Sequence, residues 1–315
     1  MISIIMPVYN SGVYLEDTIK SVLTQSYKNL QLIIIDDGST DDSFQIAKRF
    51  AKIDNRILLL HQKNHGVSSA RNNGLKYVKG DILIFIDSDD TLCENALERI
   101  EYEMSLHNYD LLIYSWNIKS GINTEPFIIK DNISNFNYVY KSIAGDDFKC
   151  GGGFPWNKAW KVQSILLNNC NLLSFDFLEC YEDKLWILKC LDIIDNPKIG
   201  YCKEPLYNYN LRFDSLSHAN TKNKMRHLNY TSIECLYKIK EYVALKHSNY
   251  DQLIADLINI RILYALWWDI KNKEWDYKSD KYYKKLKVKI SSVKDFIILI
   301  IVIIYKKLFL RVVNK

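Results

Sequence analysis

Asp81-Ile82-Leu83-Ile84-Phe85-Ile86-Asp87-Ser88-Asp89-Asp90 sets an apolar run directly against three carboxylates. A run of that length and composition reads as a strand covered on both faces, the kind found inside a parallel sheet. Its C-terminal end is where open α/β sheets bind their ligands. Crowded carboxylates raise each other's pKa unless a cation compensates them. Asp87, Asp89 and Asp90 therefore point to a divalent metal with a phosphate on its far side. The competing reading is a helix cap, in which Asp89 or Asp90 precedes a helix near Thr91-Leu92. A cap needs one such residue and not three.

Upstream, the chain alternates strand-like and helix-like patterns. Ile2–Met6 reads as a strand ended by Pro7, which cannot donate to a ladder. A helix follows with Leu15, Ile19, Val22 and Leu23 on one face. Leu32–Ile35 reads as the second strand, Ile57–Leu60 as the third and Asp81–Ile86 as the fourth. Helices carrying Phe44, Ala47 and Phe50, then Ala70, Leu75 and Val78, separate them. This repetition specifies an α/β fold, a mostly parallel sheet with helices on both faces and right-handed crossovers.

The polar insertions all follow strands, so Pro7-Val8-Tyr9-Asn10, Asp36-Asp37-Gly38-Ser39, His65-Gly66-Val67-Ser68 and Asp87-Ser88-Asp89 should gather along one sheet edge. Tyr9 can lie flat against a base. Asp36 or Asp37 can accept from a ring N–H, or can cap the helix after Gly38. Arg71 and Asn72 read as the opening of a helix, where a cation and an N-terminus suit phosphate; a surface ion pair is the other role open to Arg71.

The 315 residues suffice for two domains, and 48% hydrophobic with 25% charged residues excludes global disorder. Seven scattered cysteines without CxxC or Cys/His spacing read as reduced thiols. Ile2-Ser3-Ile4-Ile5 begins directly as a strand, without the pattern of a signal peptide, so the expected compartment is the cytoplasm. From Lys271 to Lys315 there are thirteen basic and four acidic residues, a net of +9, which leaves −4 for the first 270. Basic character confined to a tail argues against a nucleic-acid surface and for a local anionic partner.

Four ordered blocks carry a family resemblance: Ile4-Ile5-Met6-Pro7-Val8-Tyr9-Asn10, Asp36-Asp37-Gly38-Ser39-Thr40-Asp41, Gly66-Val67-Ser68-Ser69-Ala70-Arg71-Asn72 and Asp87-Ser88-Asp89-Asp90. In order and spacing, residues 2 to about 116 resemble the family 2 glycosyltransferases. The resemblance implies a GT-A (Rossmann-like) fold, a nucleotide-sugar donor, a divalent metal (Mn²⁺ or Mg²⁺) and inversion at the anomeric carbon. It places Pro7, Tyr9 and Asp36 at the nucleoside, and Asp87 and Asp89 at ribose and metal, with Asp90 as an alternative ligand. Asn10, Asp37, Arg71, Asn72 and Ser88 complete the expected donor set.

Later segments extend the resemblance. Gly151-Gly152-Gly153-Phe154-Pro155-Trp156-Asn157-Lys158 can approach a sugar closely through its glycines, and Trp156, Lys158 and Trp186 are the expected acceptor contacts. In Cys180-Tyr181-Glu182-Asp183-Lys184, Glu182 and Asp183 open a helix whose dipole favours carboxylates. The resemblance makes Asp183 the general base and Glu182 its neighbour. Pro205-Leu206-Tyr207-Asn208-Tyr209 leads to Arg212, expected to close over the diphosphate. Residues 1–220 are thus expected to form the catalytic domain, with 1–116 binding the donor and 117–220 the acceptor.

Residues 221–315 read as helices ending in a basic and apolar tail. Phe296–Tyr305 is an apolar run with lysines on either side. As a helix it would span about 15 Å, short of the roughly 20 residues a bilayer crossing needs. It suits shallow insertion at an anionic leaflet; packing on the domain or on a second copy in a homo-oligomer is the other reading. The sum of these expectations is transfer from a UDP-sugar to a saccharide hydroxyl, on a lipid-linked acceptor, peripheral on the inner face of the plasma membrane. A nucleotidyltransferase would need a glycine- and lysine-rich phosphate loop, which Pro7-Val8-Tyr9-Asn10 is not. A non-catalytic nucleotide-sugar-binding or scaffold protein of the same fold would lose carboxylates that are all present here.

Overall fold

A computed structural model describes residues 1–129, 135–145, 148–167, 171–211, 222–287, 294–295 and 297–304. Two compact units result, one of Met1–Leu178 with Glu182–Arg212 and one of Glu179–Tyr181 with Phe213–Lys315.

The first unit begins β1 (Ile2–Val8), α1 (Gly12–Leu23), β2 (Leu30–Asp36), α2 (Ser43–Ile53), β3 (Ile57–His61), α3 (Val67–Leu75) and β4 (Ile82–Phe85). It continues β5 (Thr91–Leu92), α4 (Ala96–His107), β6 (Leu111–Ser120), β7 (Asn123–Phe127), α5 (Phe136–Ala144), β8 (Lys158–Lys161), β9 (Leu166–Leu167), β10 (Asn171–Leu172), α6 (Glu182–Ile193) and β11 (Ile199–Asn210). The main sheet runs β3-β2-β1-β4-β8-β6-β11-β5, with β7 added beside β6. β3, β2, β1 and β4 are parallel, whereas β8 lies antiparallel between β4 and β6.

Every residue of β1 is buried, as strands covered on both faces require. Pro7 does not end the strand: pairing with β4 stops at Ile5 and Phe85, so beyond it β1 has one partner, β2, and tolerates a missing donor. Gly74 lets α3 lie against β1 and β2, because a Cβ there would sit 2.8 Å from Ile35 Cδ1. The chain reverses its direction of growth across β1, between β2 and β4, and that crevice at the strands' C-terminal ends is where such sheets take ligands.

The second unit contains α7 (Lys222–Lys246), α8 (Asp251–Asn272) and α9 (Tyr277–Tyr283). Buried Asp269 accepts from Arg226 Nε at 2.8 Å, Tyr230 Oη at 2.5 Å and Ser279 Oγ at 2.5 Å, tying the three helices together. Among the described residues no helix is long and apolar enough to cross a membrane.

Candidate active site

The ends of β1, β2 and β4 bring three of the four sequence blocks together. Tyr9 is half exposed at the end of β1. Asn10 joins two loops, its N–H donating to Ser39 Oγ at 3.1 Å and its Oδ1 accepting from Thr40 N–H at 2.8 Å. Ser88 is buried, with its hydroxyl 2.6 Å from Ser11 Oγ, so it fastens the β4 loop to the start of α1.

Asp36 and Asp37 separate into different roles. Asp37 is held by protein: Oδ1 accepts from Gln62 Nε2 at 2.8 Å and His65 N–H at 3.0 Å, and Oδ2 from Gly66 N–H at 2.8 Å. It shapes the loop before α3. Asp36 is fully buried, its Oδ2 lying 2.8 Å from His61 Nδ1, while its Oδ1 has no partner. A buried carboxylate oxygen without a donor is costly and marks a place where a ligand N–H can be received. Sequence reading missed His61, although its place at the end of β3, beside Asp36 in register, was a usable signal.

Arg71 and Asn72 do not open a helix, because α3 starts at Val67 and puts them in its second turn. Asn72 clips a distant loop, donating from Nδ2 to the Phe175 carbonyl at 2.9 Å and accepting from Phe175 N–H at 2.6 Å. Arg71 is buried, with its guanidinium carbon 5.3 Å from the Phe175 ring centre. It donates to Glu182 Oε1 at 3.1 Å, lies 3.5 Å from Asp87 Oδ1, and keeps a buried Nε–H unpartnered. The ion pair named as its alternative is real, but it is an internal bridge and not a surface pair.

The carboxylates after β4 also divide. Asp90 is buried, with Oδ1 accepting from Asn210 N–H at 2.7 Å and Oδ2 from Tyr207 Oη at 2.8 Å. Burial, then Asp89 and Asp87, push its carboxyl well above the usual range. Each Asp90 oxygen thus already accepts from β11, and Asp87 and Asp89 are the more open of the three. The Tyr207 hydroxyl also accepts from Asp87 N–H at 3.1 Å, and Asn210 Nδ2 donates to the Asp89 carbonyl at 2.6 Å. β11 thereby holds the whole Asp87–Asp90 turn. Asp87 and Asp89 stay partly exposed. Among the described residues no group of three or more His, Cys, Asp or Glu side chains is arranged around one point. Two carboxylates nonetheless suit Mg²⁺ or Mn²⁺, which take one or two protein carboxylates and complete their shell with water and phosphate oxygens.

Asp183 stands in the first turn of α6, partly buried, with Lys184 N–H donating to Oδ1 at 2.7 Å. Desolvation, then the charge of Glu182, push its carboxyl up to about 7, against the pull of Arg71. That value matches a base operating near neutrality.

The three expected acceptor contacts are corrected by burial. Trp186 is fully buried, stacked on Phe175 with centroids 4.6 Å apart and donating to the Leu173 carbonyl at 2.7 Å. Trp156 is buried between Phe154 and Tyr207 in a run of parallel rings. Lys158 is 0% exposed, its Nζ donating to the Gly152 and Phe154 carbonyls at 2.7 and 2.8 Å and to Asn157 Oδ1 at 2.8 Å. Three short acceptors satisfy the three N–H groups of an ammonium. The glycine run is likewise occupied by protein, since a Cβ on Gly151 would lie 2.6 Å from Ile113 Cγ2. Arg212 lies outside the described residues, so its place at the diphosphate rests on the resemblance.

Residues 3–156 match the protein family described as glycosyl transferase family 2. The chain is 48% identical over 194 residues to an uncharacterized glycosyltransferase of Haemophilus influenzae, covering 61% of this chain and 72% of that protein. It is 31% identical over 242 residues to the glycosyltransferase GlyA of Streptococcus pneumoniae, covering 72% of this chain and 33% of that protein. Against the minor teichoic acid biosynthesis protein GgaB of Bacillus subtilis it is 30% identical over 282 residues, covering 86% and 29%. The match thus spans about a third of these last two proteins. Among solved structures, S. aureus TarS 1-349 in complex with UDP-GlcNAc resembles it with a TM-score of 0.59 at 18% identity, over 93% of this chain and 95% of that one. A mannosyltransferase from Pyrobaculum calidifontis in complex with GDP-Man and Mn²⁺ does so with a TM-score of 0.53 at 11% identity, over 90% and 78%. At those identities the likeness bears on fold alone, and the fold is GT-A. Sequence match and fold agree, and the chain belongs to the family 2 glycosyltransferases.

Proposed function

We propose that this glycosyltransferase moves a hexosyl or N-acetylhexosaminyl group from a UDP-sugar to a saccharide hydroxyl, with inversion. The acceptor is read as lipid-linked, and the product as a surface polysaccharide such as a capsule or O-antigen, built at the inner face of the plasma membrane. The observation that carries the reading is the Arg71 bridge. One guanidinium contacts both Asp87, at the donor end of the sheet, and Glu182, beside the base. Relatives lend class support: GgaB is named for teichoic acid biosynthesis and TarS was solved with UDP-GlcNAc.

In this reading the unpartnered Asp36 Oδ1 accepts the imino N–H of uracil, and Tyr9 lies along the base. Asp87 and Asp89 would hold a divalent cation, which would offset charge on the departing diphosphate. Asp183 takes the acceptor proton as that oxygen attacks the anomeric carbon. The glycosidic bond to phosphate breaks on the opposite face, and UDP leaves with the bonding pair. Glu182, held by Arg71, stands next to Asp183 and helps push the Asp183 carboxyl up.

A screen of nucleotide sugars with Mn²⁺ or Mg²⁺, reading nucleotide release with and without saccharide acceptors, tests the proposal. Release from UDP-sugars is expected; release from no nucleotide sugar under any metal condition would overturn it.

A further inference from the structure

Residues 297–304 are helical, and their side chains sort by face. Ile298, Leu299 and Val302 are buried, whereas Ile297, Ile300, Ile301 and Ile304 are exposed, the outermost at 52% and 53%. Spacings of three, four and seven residues put the four exposed isoleucines on one stripe of an α-helix. A soluble surface helix normally carries polar residues on such a stripe, and a contiguous apolar one marks an interaction surface.

Cations adjoin it. Lys294, one turn before Ile297, is exposed, and its Nζ lies 5.4 Å from the Tyr264 ring centre. Lys281, Lys284, Lys285 and Lys287 are exposed as well. Both groups are docked on α8: the Lys287 N–H donates to Asn259 Oδ1 at 3.0 Å, and Tyr264 Oη donates to Asp295 Oδ1 at 3.2 Å. Asn259 and Tyr264 are five residues apart on α8, about 7.5 Å along its axis. Both segments thus contact the middle of α8, and Lys294 stands directly before the isoleucine stripe, while the first 270 residues carry a net charge of −4.

We propose that Ile297, Ile300, Ile301 and Ile304 seat this helix flat in an anionic lipid surface, with Lys284, Lys287 and Lys294 against the headgroups. An apolar face beside cations is what an in-plane interfacial helix needs. A second copy of the chain fits less well, because a two-fold contact through the stripe would bring Lys294 toward its own image. The contact is independent of the transfer chemistry, and it holds whichever sugar is moved.

The test uses the full chain and vesicles of phosphatidylcholine with or without about 30 mol% phosphatidylglycerol. Wild type is expected to sediment with the anionic vesicles and to be released by salt. The variant Ile297→Asp/Ile301→Asp should lose at least about tenfold in partitioning. Lys284→Glu/Lys287→Glu/Lys294→Glu should lose the preference for anionic vesicles. Unchanged melting temperatures, expected because these side chains are exposed, tie the losses to the surface. If Ile297→Asp alone unfolds the chain, Ile304→Ser serves in its place. The proposal is overturned if wild type does not bind anionic vesicles, or if folded isoleucine variants bind as well as wild type. A dimer in light scattering that dissociates in the isoleucine variants, without vesicle binding, would assign the stripe to a second copy and also overturn it.

Discussion

Arg71 Nη1 donates to Glu182 Oε1 at 3.1 Å, joining residues 111 positions apart. The same guanidinium lies against Asp87 and over Phe175, so a single buried cation offsets the carboxylates of both halves of the site. Removing one partner of a buried pair leaves the other charge uncompensated, at about 3 kcal/mol. Arg71→Ala is therefore expected to lower unfolding free energy by about that much in urea titrations. Arg71→Lys keeps the charge without the planar fork, and should recover part of the stability and less of the turnover.

Asp183 gives a pH signature in both activity and stability. As a base it must be ionised, so kcat should rise with pH through about 7. Its native pKa stands above the unfolded value of about 3.9. Its contribution to stability is then full below that value and lost as pH rises through about 7, where the folded state must ionise a partly buried carboxylate beside Glu182. Asp183→Asn should thus melt above wild type at pH 8 and with it below pH 4. Transfer in that variant should fall by about 10²- to 10⁴-fold, with donor affinity kept in calorimetric titration.

Asp36 and His61 form the second testable pair. With His61 Nδ1 2.8 Å from Oδ2, the carboxylate is turned so that Oδ1 stays open. Asp36→Asn should weaken UDP binding by about tenfold, the worth of one hydrogen bond. His61→Ala should weaken it less, and His61→Asn, whose amide can donate where Nδ1 stood, should restore it. Isothermal titration with UDP reads all three.

Lys158 separates a structural lysine from an acceptor contact. Lys158→Met strips the donors from two backbone carbonyls and Asn157 Oδ1 in a buried loop. A loss of about 2–4 kcal/mol is expected, because each orphaned acceptor keeps its desolvation penalty. Thermal melting measures it. Were Lys158 an acceptor contact, the acceptor KM would rise instead at unchanged stability.

The strands, their parallel order and the collection of Tyr9, Asp36 and Asp87 at their C-terminal ends were legible in the sequence, because buried strands and post-strand turns are written in local periodicity. The resemblance located Glu182 and Asp183, and the helix they open forms as expected. Other features were decided only by tertiary structure. Arg71 meets Glu182, Tyr207 meets Asp90 and Lys158 meets the glycine-run carbonyls because the sheet order brings β11, β8 and α6 to the site. No local pattern reports whether a tryptophan or lysine will be enclosed by distant strands, so Trp156, Lys158 and Trp186 read as surface chemistry and proved to be packing. The isoleucines of residues 297–304 divide the same way. Their apolar character is written in the sequence, and which of them face outward was settled by what packs against the other side.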